Sequence, residues 1–209
     1  MTPPPVALDT LRPGFQDAAL GSQAVFRIAL AALSHPGRPL PIPRVAEVPE
    51  TGHPAAAALM LALLDADCAL WLSPRIARGD AGDWLRFHTG CRLAGSPGMA
   101  DFLWIGLGDP LPPLAGLRLG SDTYPEESAT CVVEVEALHA PEAGPGWWLS
   151  GPGVAGRQGL DVQGGPPTLA ALQAESHALF PRGVDLFLAT PDQIAGLPRT
   201  THIEHSRER

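Results

Sequence analysis

The sequence contains no lysine, so all 14 of its basic side chains are arginines. Without lysine, the chain has no side-chain amine to form a Schiff base with pyridoxal phosphate or with a carbonyl substrate. It also has no lysine for a P-loop, a motif that needs this residue to reach a nucleotide phosphate. The absence of lysine therefore excludes two large classes of enzyme.

Cysteine is scarce as well, with three residues at Cys68, Cys91 and Cys131. They are widely spaced and include no CxxC pair, so the pattern indicates neither a disulfide framework nor a thiolate metal site. They also lack the three-cysteine cluster of an iron–sulfur centre. His88 and Cys91 have no second pair of ligands nearby in sequence, and we expect no metal. The cysteines are predicted to be small buried hydrophobic residues.

Basic runs and long apolar runs are both missing from this chain, whose net charge is -8. A nucleic-acid partner needs a basic patch, so none is expected. No apolar run approaches the roughly 18 residues of a membrane span, and the start "MTPPPVALDTLRPGF" does not resemble a secretory signal. The sequence predicts a cytoplasmic protein with one domain over residues 1–209, an extended arm at 1–15 and a charged tail at 203–209.

Hydrophobic spacing predicts four helices. The first follows Ser22 as N-cap and places Phe26, Ala29, Leu30 and Leu33 on one apolar face. The others begin at His53, span Asp80 to His88, and begin near Thr168.

Five apolar segments predict strands: Cys68 to Ser73, Ala100 to Gly106, Ser128 to Val135, Gly146 to Ser150, and Val184 to Ala189. Thr190 and Gln193 form a capping box, which predicts a short helix ending before Pro198. The segment "RTTHIEH" can add an edge strand, and residues 144–167 are predicted to be a loop region. Because helices alternate with continuously apolar strands, we expect an α/β fold with a mixed sheet covered by helices.

Two tempting motifs have simpler explanations. "GPGVAG", residues 151–156, matches a dinucleotide-binding pattern, but "RQGLDVQGGPP" after it cannot form the helix that holds the pyrophosphate. We expect turns at these glycines. Glu126 and Glu127 could do acid–base chemistry, but adjacent side chains point to different sides, which favours a solvated loop.

Two stretches hold the remaining candidate residues. "RFHTGCR" contains Arg86 and His88, which could bind an anion or could complement a helix C-terminus capped by Gly90. "FPRGVDLFL" places Arg182 and Asp185 at the start of a strand. Open α/β sheets bind ligands at the opposite, carboxyl end, so a structural ion pair or a contact between subunits is favoured over catalysis.

Eight segments occur in a collinear order that resembles the PhnH family, the H subunit of the bacterial carbon–phosphorus lyase system. They span nearly the whole chain, which makes the set far more specific than any single motif. The segments are "SHPGR" (34–38), "LALLDADCALWL" (61–72), "WLRFHTG" (84–90), "ADF" (100–102), "YPEESAT" (124–130), "GPGV" (151–154), "FPRGVDLFL" (180–188) and "LPRTT" (197–201).

The resemblance implies a role in phosphonate use when phosphate is scarce, within a core complex of G, I, J and K subunits. With an ATPase-like partner, that machinery displaces adenine from ATP by a phosphonate and gives a ribose 1-phosphonate 5-triphosphate. A radical iron–sulfur enzyme in the J subunit then cleaves the carbon–phosphorus bond. The resemblance further implies a homodimer with a fold similar to the pyridoxal-phosphate-dependent transferases, but without the cofactor.

Two hypotheses follow for this chain. In the first, it is a non-catalytic subunit that organises a dimer and an interface for its partners. In the second, it contributes arginines such as Arg86, Arg182 or Arg199 to a site for the triphosphate or phosphonate. The first is preferred, because every polar cluster has an adequate structural explanation.

Overall fold

The computed structural model describes residues 12–140 and 146–205, which form five helices and thirteen strands. Short 3₁₀ turns lie at Pro97–Met99, Leu114–Gly116 and Pro125–Glu127. The helices are α1 (Ala18–Ser34), α2 (Pro54–Leu63), α3 (Pro74–Ala77), α4 (Ala81–Thr89) and α5 (Leu169–Ala178). The strands are β1 (Gly14–Phe15), β2 (Leu40–Pro41), β3 (Ala46–Glu47), β4 (Ala69–Leu72), β5 (Arg92–Leu93), β6 (Phe102–Ile105), β7 (Thr130–Glu134), β8 (Ala137–His139), β9 (Trp147–Ser150), β10 (Gln158–Gln163), β11 (Asp185–Ala189), β12 (Gln193–Leu197) and β13 (His202–His205).

A seven-stranded sheet in the order β2-β12-β11-β7-β6-β4-β5 forms the centre of the structure. Its neighbours from β5 to β11 are parallel, whereas β12 runs antiparallel to both β11 and β2. The predicted α/β fold with a mixed sheet is therefore confirmed. A second, antiparallel sheet has the order β13-β9-β10-β8, and β1 pairs with β3.

The central sheet is buried on both faces because its inner strands carry apolar side chains at almost every position. Alternate residues of a strand point to opposite faces. In β6, Trp104 packs into the core beneath α1, α2 and α4, whereas Leu103 and Ile105 pack into the core beneath α5 and the second sheet. This two-sided burial explains why the strands read as continuous apolar runs.

Helix α1 differs from its predicted boundaries and its predicted face. It begins at Ala18, four residues before Ser22, because Asp17 is the N-cap and accepts a hydrogen bond from the Leu20 N–H at 2.9 Å. Of the predicted apolar face, Ala29 is buried and Leu33 packs against the core, as expected. Phe26 and Leu30 are 44% and 50% exposed, so the prediction is wrong for these two residues. Small side chains instead allow close packing on the sheet. The buried residues are Gly21, Val25, Ala29 and Ala32.

The predicted helix after Thr190 is also wrong, since this segment is the hairpin leading into β12. The Thr190 hydroxyl accepts from the Gln193 N–H at 3.0 Å, and the Gln193 carbonyl accepts from the Thr190 N–H at 3.0 Å. Capping boxes and tight turns use the same hydroxyl-to-backbone bond. Here the bond closes a turn and does not begin a helix, because Ile194 and Leu197 are fully buried as part of the sheet.

The region 144–167 contains more structure than a loop. Strand β10, at Gln158–Gln163, pairs with β8 and β9 and was missed. "GPGVAG" forms turns as predicted, with φ of 127°, 81° and 78° at Gly151, Gly153 and Gly156. Most of the predicted arm and tail, residues 1–11 and 206–209, lies outside the described residues, and residues 203–205 belong to β13. Among the described helices, none has the length and apolar character to span a bilayer.

Candidate functional site

The hairpin of β11 and β12 brings Arg199 beside Asp185 at the amino end of the parallel strands. Leu186 pairs with Leu197 across the hairpin, so the residues flanking this pair come close together. The Arg199 Nε and Nη2 atoms donate to the two carboxylate oxygens of Asp185 at 3.2 and 2.7 Å. Both side chains are largely buried, with 12% of Arg199 and 24% of Asp185 exposed. The result is a bidentate ion pair away from bulk water.

The other donors of Arg199 bind two distant parts of the chain. Nη1 donates to the carbonyls of Pro125 and Pro181 at 2.9 and 3.3 Å, and Nη2 donates to the Ser128 hydroxyl at 2.5 Å. A guanidinium has five N–H donors, and all five are now used. We call Arg199, Asp185, Ser128 and the carbonyls of Pro125 and Pro181 the Arg199 cluster. It has no donor left for a bound anion.

Helix α5 fixes the loop that carries Arg199. The buried Gln173 side chain donates from Nε2 to the Pro198 and Thr201 carbonyls at 2.8 and 3.1 Å. His177 donates from Nδ1 to the Arg199 carbonyl at 3.2 Å. Helix α5 therefore fixes the backbone on both sides of Arg199, and this positions the guanidinium beside Asp185.

Arg182 lies in the turn before β11 but does not pair with Asp185. Its Nε lies 3.3 Å from the Asp122 carboxylate, and the two side chains are exposed. The predicted structural ion pair at this strand entrance therefore exists with a different arginine. The "YPEESAT", "FPRGVDLFL" and "LPRTT" segments meet at this place.

Arg86 and His88 lie on α4, and no hydrogen bond or ion pair joins them to the Arg199 cluster among the described residues. Arg86 Nη1 lies 3.5 Å from Asp83 Oδ1, and His88 donates from Nε2 to the Arg12 carbonyl at 2.9 Å. Gly90 has a left-handed φ of 74°, and its N–H donates to the Arg86 carbonyl at 3.0 Å. The interpretation of "RFHTGCR" as a helix C-terminus is confirmed.

The carboxyl ends of the parallel strands, where α/β sheets usually bind ligands, hold a buried serine–aspartate pair. The Ser73 hydroxyl donates to Asp109 Oδ2 at 2.6 Å and accepts from the Gly106 N–H at 2.9 Å. Asp109 Oδ2 also accepts from the Arg75 N–H at 2.7 Å. The Ser73 hydroxyl and Asp109 Oδ2 are therefore both engaged in hydrogen bonds to other residues of this chain.

Glu134, the last residue of β7, is buried at the same edge. Its Oε1 accepts from the His53 N–H at 2.5 Å and from Trp104 Nε1 at 2.9 Å, and its Oε2 accepts from the Leu107 N–H at 3.0 Å. Sequence reasoning missed this carboxylate, although a charged residue inside "CVVEV" was a signal. Three donors surround it, so its role in the fold is to join α2, β6 and β7.

Metal binding finds no support within residues 12–140 and 146–205, where no group of three or more His, Cys, Asp or Glu side chains is arranged to hold an ion. Cys91 and Cys131 are buried, Cys68 is half-buried, and all three are free thiols. The prediction that the cysteines pack as small hydrophobic residues is confirmed for Cys91 and Cys131.

Comparison with known proteins gives a match to the family model described as bacterial phosphonate metabolism protein (PhnH), over residues 13–204. A protein of Rhizobium meliloti (strain 1021), named alpha-D-ribose 1-methylphosphonate 5-triphosphate synthase subunit PhnH, is 34% identical over 190 residues, or 91% of this chain and 94% of that protein. A protein of Stutzerimonas stutzeri, named putative C-P lyase subunit protein HtxG, is 38% identical over 181 residues, or 87% of this chain and 85% of that protein.

Proposed function

Because the chain belongs to the PhnH family of bacterial phosphonate metabolism proteins, we propose that it is a non-catalytic subunit of a carbon–phosphorus lyase complex. The names of both relatives support a subunit role, one in a synthase of ribose 1-methylphosphonate 5-triphosphate and one in a C-P lyase. The proposed partners are the G, I, J and K subunits, and the chain is proposed to act as a homodimer in the cytoplasm.

In the proposed reaction, a phosphonate oxygen forms a bond to the ribose C1′ of ATP. The N-glycosidic bond breaks, and adenine leaves with a proton, so that ribose 1-phosphonate 5-triphosphate is the second product. This chain supports the transfer without contacting the reacting atoms.

The observation that carries the non-catalytic role is the complete internal pairing of Arg199. A group that stabilises a triphosphate or a developing charge needs donors aimed at the ligand. Arg199 has none free, since its five N–H groups bind the chain. At the opposite sheet edge, the buried carboxylate of Glu134 likewise accepts three hydrogen bonds from its own chain.

The absence of lysine supports the same role. If the fold is similar to that of the pyridoxal-phosphate-dependent transferases, as we propose, this copy still cannot hold the cofactor as an internal aldimine. The proposed unit is one domain over residues 1–209.

The alternative function, anion binding, now depends on Arg86 and Arg182. Each is about half exposed and pairs with one exposed aspartate, so each can exchange its partner for an anion. Isothermal titration of the isolated chain with ATP and with methylphosphonate tests this alternative. We expect no saturable binding, and binding of ATP that is lost in Arg182→Ala or Arg86→Ala would establish the alternative instead.

A further inference from the structure

An open cup of about 300 Å³ lies against the Arg199 cluster, and we call it the proline cup. Its apolar wall is formed by Pro125, Pro181, Pro198 and Phe180. Glu126, Asp185, Arg199 and Thr200 complete the lining, but the surface that is exposed inside the cup is almost entirely apolar. Phe180 is 62% exposed. Tyr124, which directly precedes Pro125, is 55% exposed. Exposed aromatic side chains around an apolar depression are typical of protein interfaces.

The shape of the proline cup is set before any partner binds. Arg199 holds the carbonyls of Pro125 and Pro181, two of the three wall prolines. Gln173 holds the carbonyl of Pro198, the third. Proline has a fixed φ and little side-chain freedom, so ordering these walls costs little on binding.

The rim of the proline cup is acidic. Glu126 lines the cup, and Glu127 follows it in the chain. Both are exposed, and neither takes part in a salt bridge among the described residues. Asp185 and Asp122 are neutralised by Arg199 and Arg182. Two uncompensated negative charges therefore remain, which repel a nucleoside triphosphate and attract a basic segment.

The volume of the proline cup points to the size of its occupant. At about 300 Å³, the proline cup lies at the lower limit of pockets that bind small ligands. A single large apolar side chain fits into the proline cup, in the way that anchor residues at interface hot spots fill pockets on their partners. A second copy of this chain suits the site less well, because its net charge of -8 opposes the acidic rim.

We propose that the proline cup receives one large apolar side chain, flanked by arginine or lysine, from a partner subunit of the complex. The inference rests on the proposed subunit role and names the chemistry of the contact. The apolar anchor supplies affinity, and the acidic rim speeds association and makes it depend on salt.

The test is binding of the purified partner subunits to the full-length chain by biolayer interferometry. Phe180→Ala should weaken the affinity at least tenfold, because it removes one wall of the proline cup. Phe87→Ala is the matched control, since Phe87 is 57% exposed on α4. It should change the affinity less than twofold. Circular dichroism checks that both variants melt like the wild type.

The charge of the rim is tested separately with Glu126→Gln combined with Glu127→Gln. These substitutions lie on the surface and should lower the association rate severalfold at low salt, with little effect at 0.5 M NaCl.

Equal affinity of wild type and Phe180→Ala for the partners would overturn the proposed role of the proline cup but not the subunit role. A wild-type chain that binds no partner subunit would overturn both the cup and the subunit role. Loss of self-association in Phe180→Ala, with partner binding intact, would assign the cup to a second copy instead.

Discussion

Arg199 joins three separate stretches of the chain through one planar guanidinium. Its partners lie 14 and 71 residues away in sequence, at Asp185 and Ser128. Sequence analysis named Arg199 and Asp185 as candidates, but their pairing could not be predicted, because it depends on the β11–β12 hairpin that the capping box concealed. Ser128 gave no signal beyond its place in "YPEESAT".

Arg199→Lys should destabilise the fold by about 1–3 kcal/mol, because a lysine ammonium keeps the charge but cannot replace all five planar N–H donors, so some of the buried acceptors lose their hydrogen bonds. The control is Arg182→Lys, which changes an exposed pair and should cost less than about 0.5 kcal/mol. Urea unfolding followed by circular dichroism measures both. Equal losses for the two variants would contradict the structural role of the Arg199 cluster.

Because the thiol of Cys131 is buried, we expect the stability of the fold to fall at alkaline pH. Burial, with a smaller contribution from Asp185, raises the pKa of Cys131 from 9.0 to about 12. The folded chain therefore keeps a proton that the unfolded chain loses. The stability that Cys131 contributes is complete below pH 9 and is lost between about pH 9 and 12.

Within this pH range, the free energy of unfolding should fall by close to about 1.4 kcal/mol per pH unit because of this thiol alone. Comparing urea midpoints at pH 8.5 and 10.5 in wild type and Cys131→Ala isolates it, since the variant retains every other group. The variant should lose less stability over this interval, and an identical loss would show that Cys131 is not protected in the folded state.

Among the elements, the contact between α1 and β12 shows where sequence reasoning succeeded and failed. The helix itself and all five apolar strands were predicted correctly, because long periodic or continuous apolar patterns are strong signals. The buried face of α1 was predicted only in part, because the small residues Ala29 and Ala32 are buried while Phe26 and Leu30 remain exposed. Close packing selected small side chains over large apolar ones.

Gly196→Ala should destabilise the protein by about 1–3 kcal/mol, because the new Cβ would lie 2.5 Å from the Ala32 carbonyl oxygen. That atom is backbone and can move only if α1 shifts off β12. Gly95→Ala is the control, since no atom lies within 4 Å of the position that its new methyl group would take. Thermal melts of both variants measure the effect, and a Gly196→Ala protein as stable as Gly95→Ala would contradict the close approach of α1 to the sheet.

At the scale of the whole molecule, the central sheet separates two apolar cores and carries a hydrogen-bonded polar cluster at each end of its parallel strands. Trp84 and Trp104 lie in the core beneath α1, α2 and α4, whereas Trp147 packs on the other core. Because both cores share the strands of the central sheet, we expect them to unfold together.

Tryptophan fluorescence and far-ultraviolet circular dichroism should therefore report one urea transition with the same midpoint. Fluorescence senses both cores through their tryptophans, and circular dichroism follows mainly the helices. Two separated midpoints would contradict the proposed single domain.

The most direct test of the non-catalytic role is release of adenine from ATP and methylphosphonate, followed by chromatography. Three samples are compared: this chain alone, the partner subunits alone, and all of them together. We predict no release by the chain alone and the fastest release by the full set. Adenine formed by the isolated chain would contradict the proposed function.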